Sequence, residues 1–237
     1  MKNKIAIIGY SGLIGSNLYR QYKKKYDYID LFNSKNIHKI KKNNSYELIL
    51  CAGLPAEKWK ANNFPKKDKS NTLKLINYLK KIKTDKFFLI STIDVYFNHA
   101  YGKNRMYLEE FVKKNFINYL IIRLPGVFGH GLKKNVIYDL INKNELEKIY
   151  YNDQYQWYDL SLLKKNIKKI KNSKNKIYEF YSEPIKNKDI INLINIDYKF
   201  RKRLKPIIYK FKPNSGYFIK KNYVLKRLKK FFKNYEF

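Results

Sequence analysis

The chain opens on a β-branched run, "KIAIIG" (4–9), that passes at once into glycines at Gly9, Gly12 and Gly15 and then into Leu13, Ile14, Leu18 and Tyr22 at helical spacing. A short buried strand ending in glycine and feeding a helix is the building unit of parallel sheets. The pattern repeats. "YDYIDLF", "YELILCAG", "KFFLIST" and "NYLIIRL" read as four further strands, apolar almost throughout, and residues 69–82 and 103–115 read as helices between them. Strands buried on both faces and alternating with helices predict an α/β fold, a doubly wound parallel sheet.

After residue 125 the pattern loosens. "LKKNVIYDLINKN" reads as a helix, "LEKIYY" as a strand, "DLSLLKKNIKKIK" as a helix and "NKDIINLINI" as a short helix. "NKIYEFY" predicts a strand near 176–181 able to return to the main sheet. No internal repeat or long Pro/Gly/Ser linker interrupts the chain, so residues 1–237 are expected to form a single compact unit. Residues 1–125 would hold mainly the parallel sheet and residues 126–237 mainly a small C-terminal portion. The tail puts Val224, Leu225, Leu228, Phe231 and Phe232 on one side and lysines on the other. Such a helix can lie on a membrane, but packing of its apolar stripe on its own domain is the expectation.

The net charge of +33 raises nucleic acid and anionic lipid as partners. Its make-up points elsewhere. Lysine far outnumbers arginine, accompanies abundant Asn, Ile and Tyr, and is spread through every segment. Groove readers favour the planar fork of arginine, so no specific nucleic acid is expected. No apolar run approaches the ~20 residues that span a bilayer. Cys51 is the single cysteine, which excludes a disulfide framework and fits a reducing cytoplasm. The two lysines ahead of the first apolar run resemble a secretory signal. Three glycines break that run and no A-x-A-like site follows, so cleavage is not expected. His38, His99 and His130 stand at no metal-ligand spacing with Cys51, so no metal is expected, and His99 reads as a solvated loop residue.

The glycines have distinct physical roles. Gly9 permits a tight turn, Gly12 leaves the backbone open to a pyrophosphate, and Gly15 lets the helix sit close on the sheet. Ser11, Leu13 and Ile14 complete the loop and bring free N–H groups and the positive end of the helix dipole to the phosphates. A glycine-punctuated core turn has the same spacing; the strand–loop–helix context favours the dinucleotide. At the second strand's end stand Asn33, Ser34 and Lys35, with no acid for a ribose 2′-hydroxyl. A hydroxyl and a lysine suit a 2′-phosphate, so NADP is expected over NAD. Cys51, Ala52 and Gly53 are small enough to let the cofactor pass.

Six stretches in order, "GYSGLIGSNL" (9–18), "CAGLPA" (51–56), "FFLISTIDVY" (87–96), "YGKNR" (101–105), "RLPGVFG" (123–129) and "YQWYDLS" (155–161), resemble the extended short-chain dehydrogenase/reductase superfamily, NAD(P)-dependent epimerase/dehydratase branch. The resemblance covers roughly the first 160 residues and thins afterwards, and it implies a Rossmann-type, mainly dinucleotide-binding portion over residues 1–125 and a small, mainly substrate-binding C-terminal portion over residues 126–237. It implies Thr92, Tyr101 and Arg105 as the catalytic group. The tyrosine exchanges a proton with a substrate oxygen, the threonine orients that oxygen, and the cation tunes the phenol. It places Leu124 and Pro125 at the cofactor and Tyr96, Gly126, Val127, Gln156 and Trp157 at the substrate. Arg105 stands where the family has lysine, a swap that is not conservative. Only eight residues separate Thr92 from Tyr101, Gly126 replaces an asparagine, and Asn152 replaces an arginine that grips phosphates. The implied function is an NAD(P)-dependent reductase or epimerase/dehydratase acting on a sugar or sugar-derived carbonyl in cell-surface polysaccharide synthesis. The implied assembly is a homodimer through residues 69–82 and 103–115. A non-catalytic dinucleotide-binding sensor or assembly protein is the alternative, and a basic peripheral protein on membrane or nucleic acid the third reading.

Overall fold

The computed structural model describes residues 4–40, 45–172, 176–194, 196–211 and 216–235. Residues 2 and 3 of the opening stretch, Asn175, Asn195 and the last two residues of the tail lie outside them. Among the described residues, ten strands run in chain order: β1 (Lys4–Ile8), β2 (Tyr28–Phe32), β3 (Ser45–Cys51), β4 (Lys83–Thr92), β5 (Tyr119–Leu124), β6 (Gly126–Phe128), β7 (Gln154–Tyr155), β8 (Trp157–Asp159), β9 (Ile177–Glu179) and β10 (Ile185–Lys186). The α-helices are α1 (Leu13–Tyr22), α2 (Lys58–Asn63), α3 (Pro65–Leu79), α4 (Ala100–Asn115), α5 (Val136–Asn142), α6 (Leu163–Ile170), α7 (Asn187–Ile191) and α8 (Lys221–Lys233). The described chain divides into two compact units, 1–124 with 161–179, and 125–160 with 180–237.

The first unit is the doubly wound sheet. Six strands lie in the order β2-β1-β3-β4-β5-β9, and every pairing is parallel. The order reverses beside β1, so the carboxyl ends of β1 and β3 flank a switch point, where open α/β sheets bind ligands. Alternate residues of β1, β3 and β4 (Ala6 and Ile8, Ile49 and Cys51, Phe87 and Leu89) bury one sheet face against Leu75, Ile76 and Leu79 of α3 and Leu108 and Val112 of α4. Phe87 and Phe116 stack there at 4.2 Å between ring centroids. Helix α3 starts four residues before the periodicity predicts because Pro65, with its fixed φ and no N–H, occupies the first helical turn.

The second unit holds two short ladders, parallel β6–β8 and antiparallel β10–β7. Helix α8 buries Val224, Leu228 and Phe232 within it and exposes Lys226, Lys229, Lys230 and Lys233. "LEKIYY" differs from its predicted strand. Lys143 and Glu145 adopt left-handed φ of 51° and 46°, and Leu146–Lys148 form a 3-10 turn. Leu146 and Ile149 are both buried, and a spacing of three is met by one helical turn rather than by an alternating strand. Among the described residues, no helix is long and apolar enough to cross a membrane.

Candidate active site

The glycine loop follows β1 at the switch point. Gly9 has φ of +87°, and a Cβ added there would lie 2.2 Å from the Ala52 carbonyl oxygen. A Cβ on Gly15 would lie 2.0 Å from the Gly9 carbonyl oxygen. The protein's own packing therefore demands both. Gly12 differs. Its φ is −82°, open to any residue, and a Cβ there meets nothing nearer than Gly9 O at 3.4 Å. Gly12 is also the N-cap of α1 and supplies no side-chain cap to the first-turn N–H groups. A loop kept bare at a position where the protein's packing does not require it, beside a helix start of positive potential, fits a pyrophosphate.

At the tip of β2 the Asn33 carboxamide accepts from Lys35 N at 2.9 Å, and Asn36 Oδ1 accepts from Asn33 N at 2.7 Å. The two asparagines shape the turn and leave Ser34 and Lys35 exposed. Asp30, the acid within β2, is held by Lys4 at 2.8 Å and by the Tyr46 hydroxyl at 2.8 Å. On β3, burial pushes the Cys51 thiol up to about 12, which makes it a small core residue rather than a nucleophile. Ala52 N donates to Ile8 O at 2.8 Å, and a Cβ on Gly53 would press on the Ile8 side chain at 2.9 Å.

One small cleft, of about 60 Å³, in this unit is lined by Ile14, Ala52, Gly53, Thr92, Tyr101 and Arg105, among others. The start of α1, the exit of β3 and the three residues implied as catalytic thus share one space. The segment between Thr92 and Tyr101 closes through a 3-10 turn, Ile93–Tyr96, whose N-cap is Thr92. The Thr92 hydroxyl donates to Asp94 Oδ2 at 3.0 Å and accepts from Asp94 N at 3.2 Å. Asp94 also holds Lys58 Nζ at 2.7 Å and His99 Nε2 at 2.9 Å. His99 Nδ1 accepts from Gly102 N at 3.0 Å, so Nε2 carries the proton toward Asp94. His99 is therefore the N-cap of α4 and not a solvated loop residue. Gly102 is required beside it, since a Cβ would fall 2.1 Å from Asp94 O.

Arg105 follows Tyr101 by one helical turn, and its guanidinium carbon lies 3.9 Å from the ring centroid. The guanidinium donates through Nη1 to Asp68 Oδ2 and through Nη2 to Pro55 O. Burial pushes the Tyr101 phenol up to about 12; Arg105 opposes that shift, and the charges of Asp94 and Asp68 add to it. Tyr96 meets Glu179 and Arg123 through its hydroxyl, and burial with the Glu179 hydrogen bond pushes it up to about 12. Arg123 is buried and donates to Glu109 Oε1 at 3.1 Å and Oε2 at 2.7 Å, while Ser91 Oγ donates to Glu109 Oε1 at 2.5 Å. Sequence reasoning did not single out Asp68, Asp94, Glu109 or Arg123. The available signal was Arg105 and Glu109 at i,i+4 on the same stripe of α4 as Leu108 and Val112. Charges on an apolar face imply buried partners. Leu124 closes β5 opposite Thr92 in the register, and Pro125 begins the second unit.

Within the second unit, Gly126 and Val127 of β6 pair with Trp157 and Tyr158 of β8. A Cβ on Gly126 would lie 2.9 Å from the Trp157 ring, so the indole fills the space beside this glycine. Trp157 Nε1 is buried without a hydrogen-bond partner among the described residues. Gln156 is fully buried. Its Nε2 donates to Ser182 O at 2.7 Å and Phe211 O at 2.9 Å, and its Oε1 accepts from Phe211 N at 2.7 Å. Asn152 likewise exchanges hydrogen bonds with the Arg203 backbone at 2.7 and 2.8 Å. Both amides brace distant backbone.

The fold is shared with solved structures of sugar-nucleotide epimerases, dehydratases and reductases. Among solved structures, the chain is similar to dTDP-4-dehydrorhamnose reductase from Bacillus anthracis str. Ames in complex with NADP, at 16% identity and TM-score 0.74 over 98% of each chain. It is similar to UDP-N-acetylglucosamine 4-epimerase from Methanobrevibacter ruminantium M1, at 14% identity and TM-score 0.70 over 98% of each chain. An NAD-dependent NDP-hexosamine 5,6-dehydratase involved in tunicamycin biosynthesis matches at 14% identity and TM-score 0.74, over 90% of this chain and 89% of that one. No protein-family model and no curated protein matches the sequence.

Proposed function

We propose that the chain is an NAD(P)-dependent enzyme of the reductase or epimerase/dehydratase type acting on a sugar-derived carbonyl, with carbonyl reduction the reading supported best. The observation that carries it is the single cleft shared by the start of α1, the exit of β3 and Thr92, Tyr101 and Arg105. The loop at Gly9–Gly15 would hold the pyrophosphate, and Ser34 and Lys35 the adenosine ribose end. When bound, the nicotinamide supplies the hydride. Tyr101 keeps its proton at neutral pH and gives it from the phenol oxygen to the carbonyl oxygen. Thr92 has its own proton committed to Asp94, so its oxygen faces the cleft as an acceptor for the hydroxyl that forms. The similar reductase and epimerase, whose names carry dTDP- and UDP-linked sugars, support a sugar-like substrate.

The test is mass spectrometry of nucleotide carried through purification, followed by NADPH consumption with a panel of keto-sugars and nucleotide-linked keto-sugars. Bound nucleotide without turnover would favour the sensor reading. Absence of both would overturn the proposal. Two further results are expected. Because the acid form of Tyr101 does the work, its role is lost only as pH rises through about 12. The reduction rate should therefore show no basic limb attributable to Tyr101 between neutrality and about pH 10. Lys35→Asp should reverse a preference for NADP over NAD, since a carboxylate repels a 2′-phosphate and accepts from a 2′-hydroxyl. Titration calorimetry with both nucleotides measures it, and a native preference for NAD would refute the role of Ser34 and Lys35.

A further inference from the structure

The replacement of the family's lysine by arginine has a counterpart elsewhere in the fold. A lysine ammonium is a compact point charge, whereas a guanidinium is a planar fork that needs acceptors in its plane. Here the acceptors are Asp68 Oδ2, in the first turn of α3, and Pro55 O, in the segment after β3. Arg105 and Asp68 are each only 5% exposed. Asn104 Nδ2 donates to the same Asp68 oxygen at 2.8 Å, so two successive residues of α4 grip one carboxylate. With both ends of the fork fixed, the guanidinium carbon lies 3.9 Å from the centroid of the Tyr101 ring.

We propose that Asp68 is a positioning residue of this site: it holds the Arg105 guanidinium over the Tyr101 ring and offsets its charge. The proposal rests on the reading of Tyr101 as proton donor. A free cation beside the phenol would favour its ionised form and make Tyr101 a base. A cation neutralised by a buried carboxylate leaves it an acid. The other charged and titratable groups around the phenol are Asp94 on the 3-10 turn, with Lys58 from α2 and His99 from the α4 cap bound to it. Asp94 acts in the same direction as Asp68, and burial reinforces both. The arginine therefore keeps a positive charge at this position while Asp68, together with Asp94, opposes its effect on the phenol, which biases the site toward protonating a carbonyl.

The experiment is a pH titration of tyrosinate absorbance on the full chain without substrate, Tyr101 being isolated as the difference from Tyr101→Phe. In the native chain Tyr101 should not ionise below about pH 10, its reference value. Asp68→Asn, which keeps the hydrogen-bonding shape and removes the charge, should lower the Tyr101 midpoint by about one unit, roughly tenfold in ionised fraction. Asp68→Glu, which restores the charge, should return the midpoint toward the native value. A merely structural role would not give this pattern of loss and rescue. An unmoved midpoint in a folded Asp68→Asn chain would overturn the proposal. If Asp68→Asn does not fold, the native titration still decides, because ionisation of Tyr101 near neutrality would overturn it. Missing turnover would count against the proposed function alone, since the titration is read without substrate. Intact turnover with an unmoved midpoint would count against Asp68 alone.

Discussion

Replacing Tyr101 with phenylalanine is expected to cut turnover by about 10²–10⁴-fold, the usual contribution of a positioned general acid. Nucleotide affinity should stay close to native. The substitution removes only the hydroxyl. The ring remains under the Arg105 guanidinium, and the α4 start remains held by Asn62 Oδ1, which accepts from Tyr101 N at 3.0 Å. The lost interaction is one made in the transition state, so kcat and kcat/KM should fall together. Steady-state kinetics on an identified keto-sugar, with calorimetry for the nucleotide, measures both. Undiminished turnover would refute the assignment. Arg105 is a harsher position to probe. Arg105→Met would leave Asp68 buried without its cation, and breaking a buried pair typically costs about 3–5 kcal/mol of stability. Arg105→Lys keeps the charge but gives up the two-pronged contact with Asp68 and Pro55.

Gly12→Val is expected to weaken nucleotide binding by roughly 100-fold or more, about 2.7 kcal/mol, while the fold survives. An added Cβ has only Gly9 O at 3.4 Å as a near neighbour, and φ of −82° suits valine. The branched side chain then occupies the space that the pyrophosphate needs. Gly15→Val provides the contrast. Its Cβ would fall 2.0 Å from the Gly9 carbonyl oxygen, so α1 could not seat on the sheet and the chain should fail to fold. Circular dichroism and thermal unfolding separate the two outcomes. Equal nucleotide affinity in native and Gly12→Val chains would sink the cradle reading, whatever turnover shows.

The main sheet of the first unit was legible because the signals that specify it are local. Continuous apolar runs, β-branched residues and the punctuation of Gly9, Gly12 and Gly15 act over a few residues, so the succession of β1 to β5 along the chain and the position of the loop follow from the chain alone. The candidate site was legible only through the family resemblance, which pointed to Thr92, Tyr101 and Arg105; local spacing adds that Tyr101 and Arg105 are one helical turn apart and that Thr92 ends a strand. What the sequence could not show is who meets whom. Asp68 reads as one more acid on a lysine-rich helix until packing brings it to Arg105, 37 residues away. His99 reads as a loop residue until Asp94 and Gly102 take its two nitrogens. Gln156 reads as a residue facing a sugar until its amide is found bracing backbone 26 and 55 residues further on. The "LEKIYY" stretch fits both a strand and a helical turn, and burial of Leu146 with Ile149 chose the turn. The sequence by itself determined the doubly wound sheet and the position of a glycine loop after its first strand. The tertiary structure alone decided the electrostatic state of the Thr92, Tyr101 and Arg105 group, because a buried charge takes its meaning from its partner, and partners distant in sequence are set only when the helices pack.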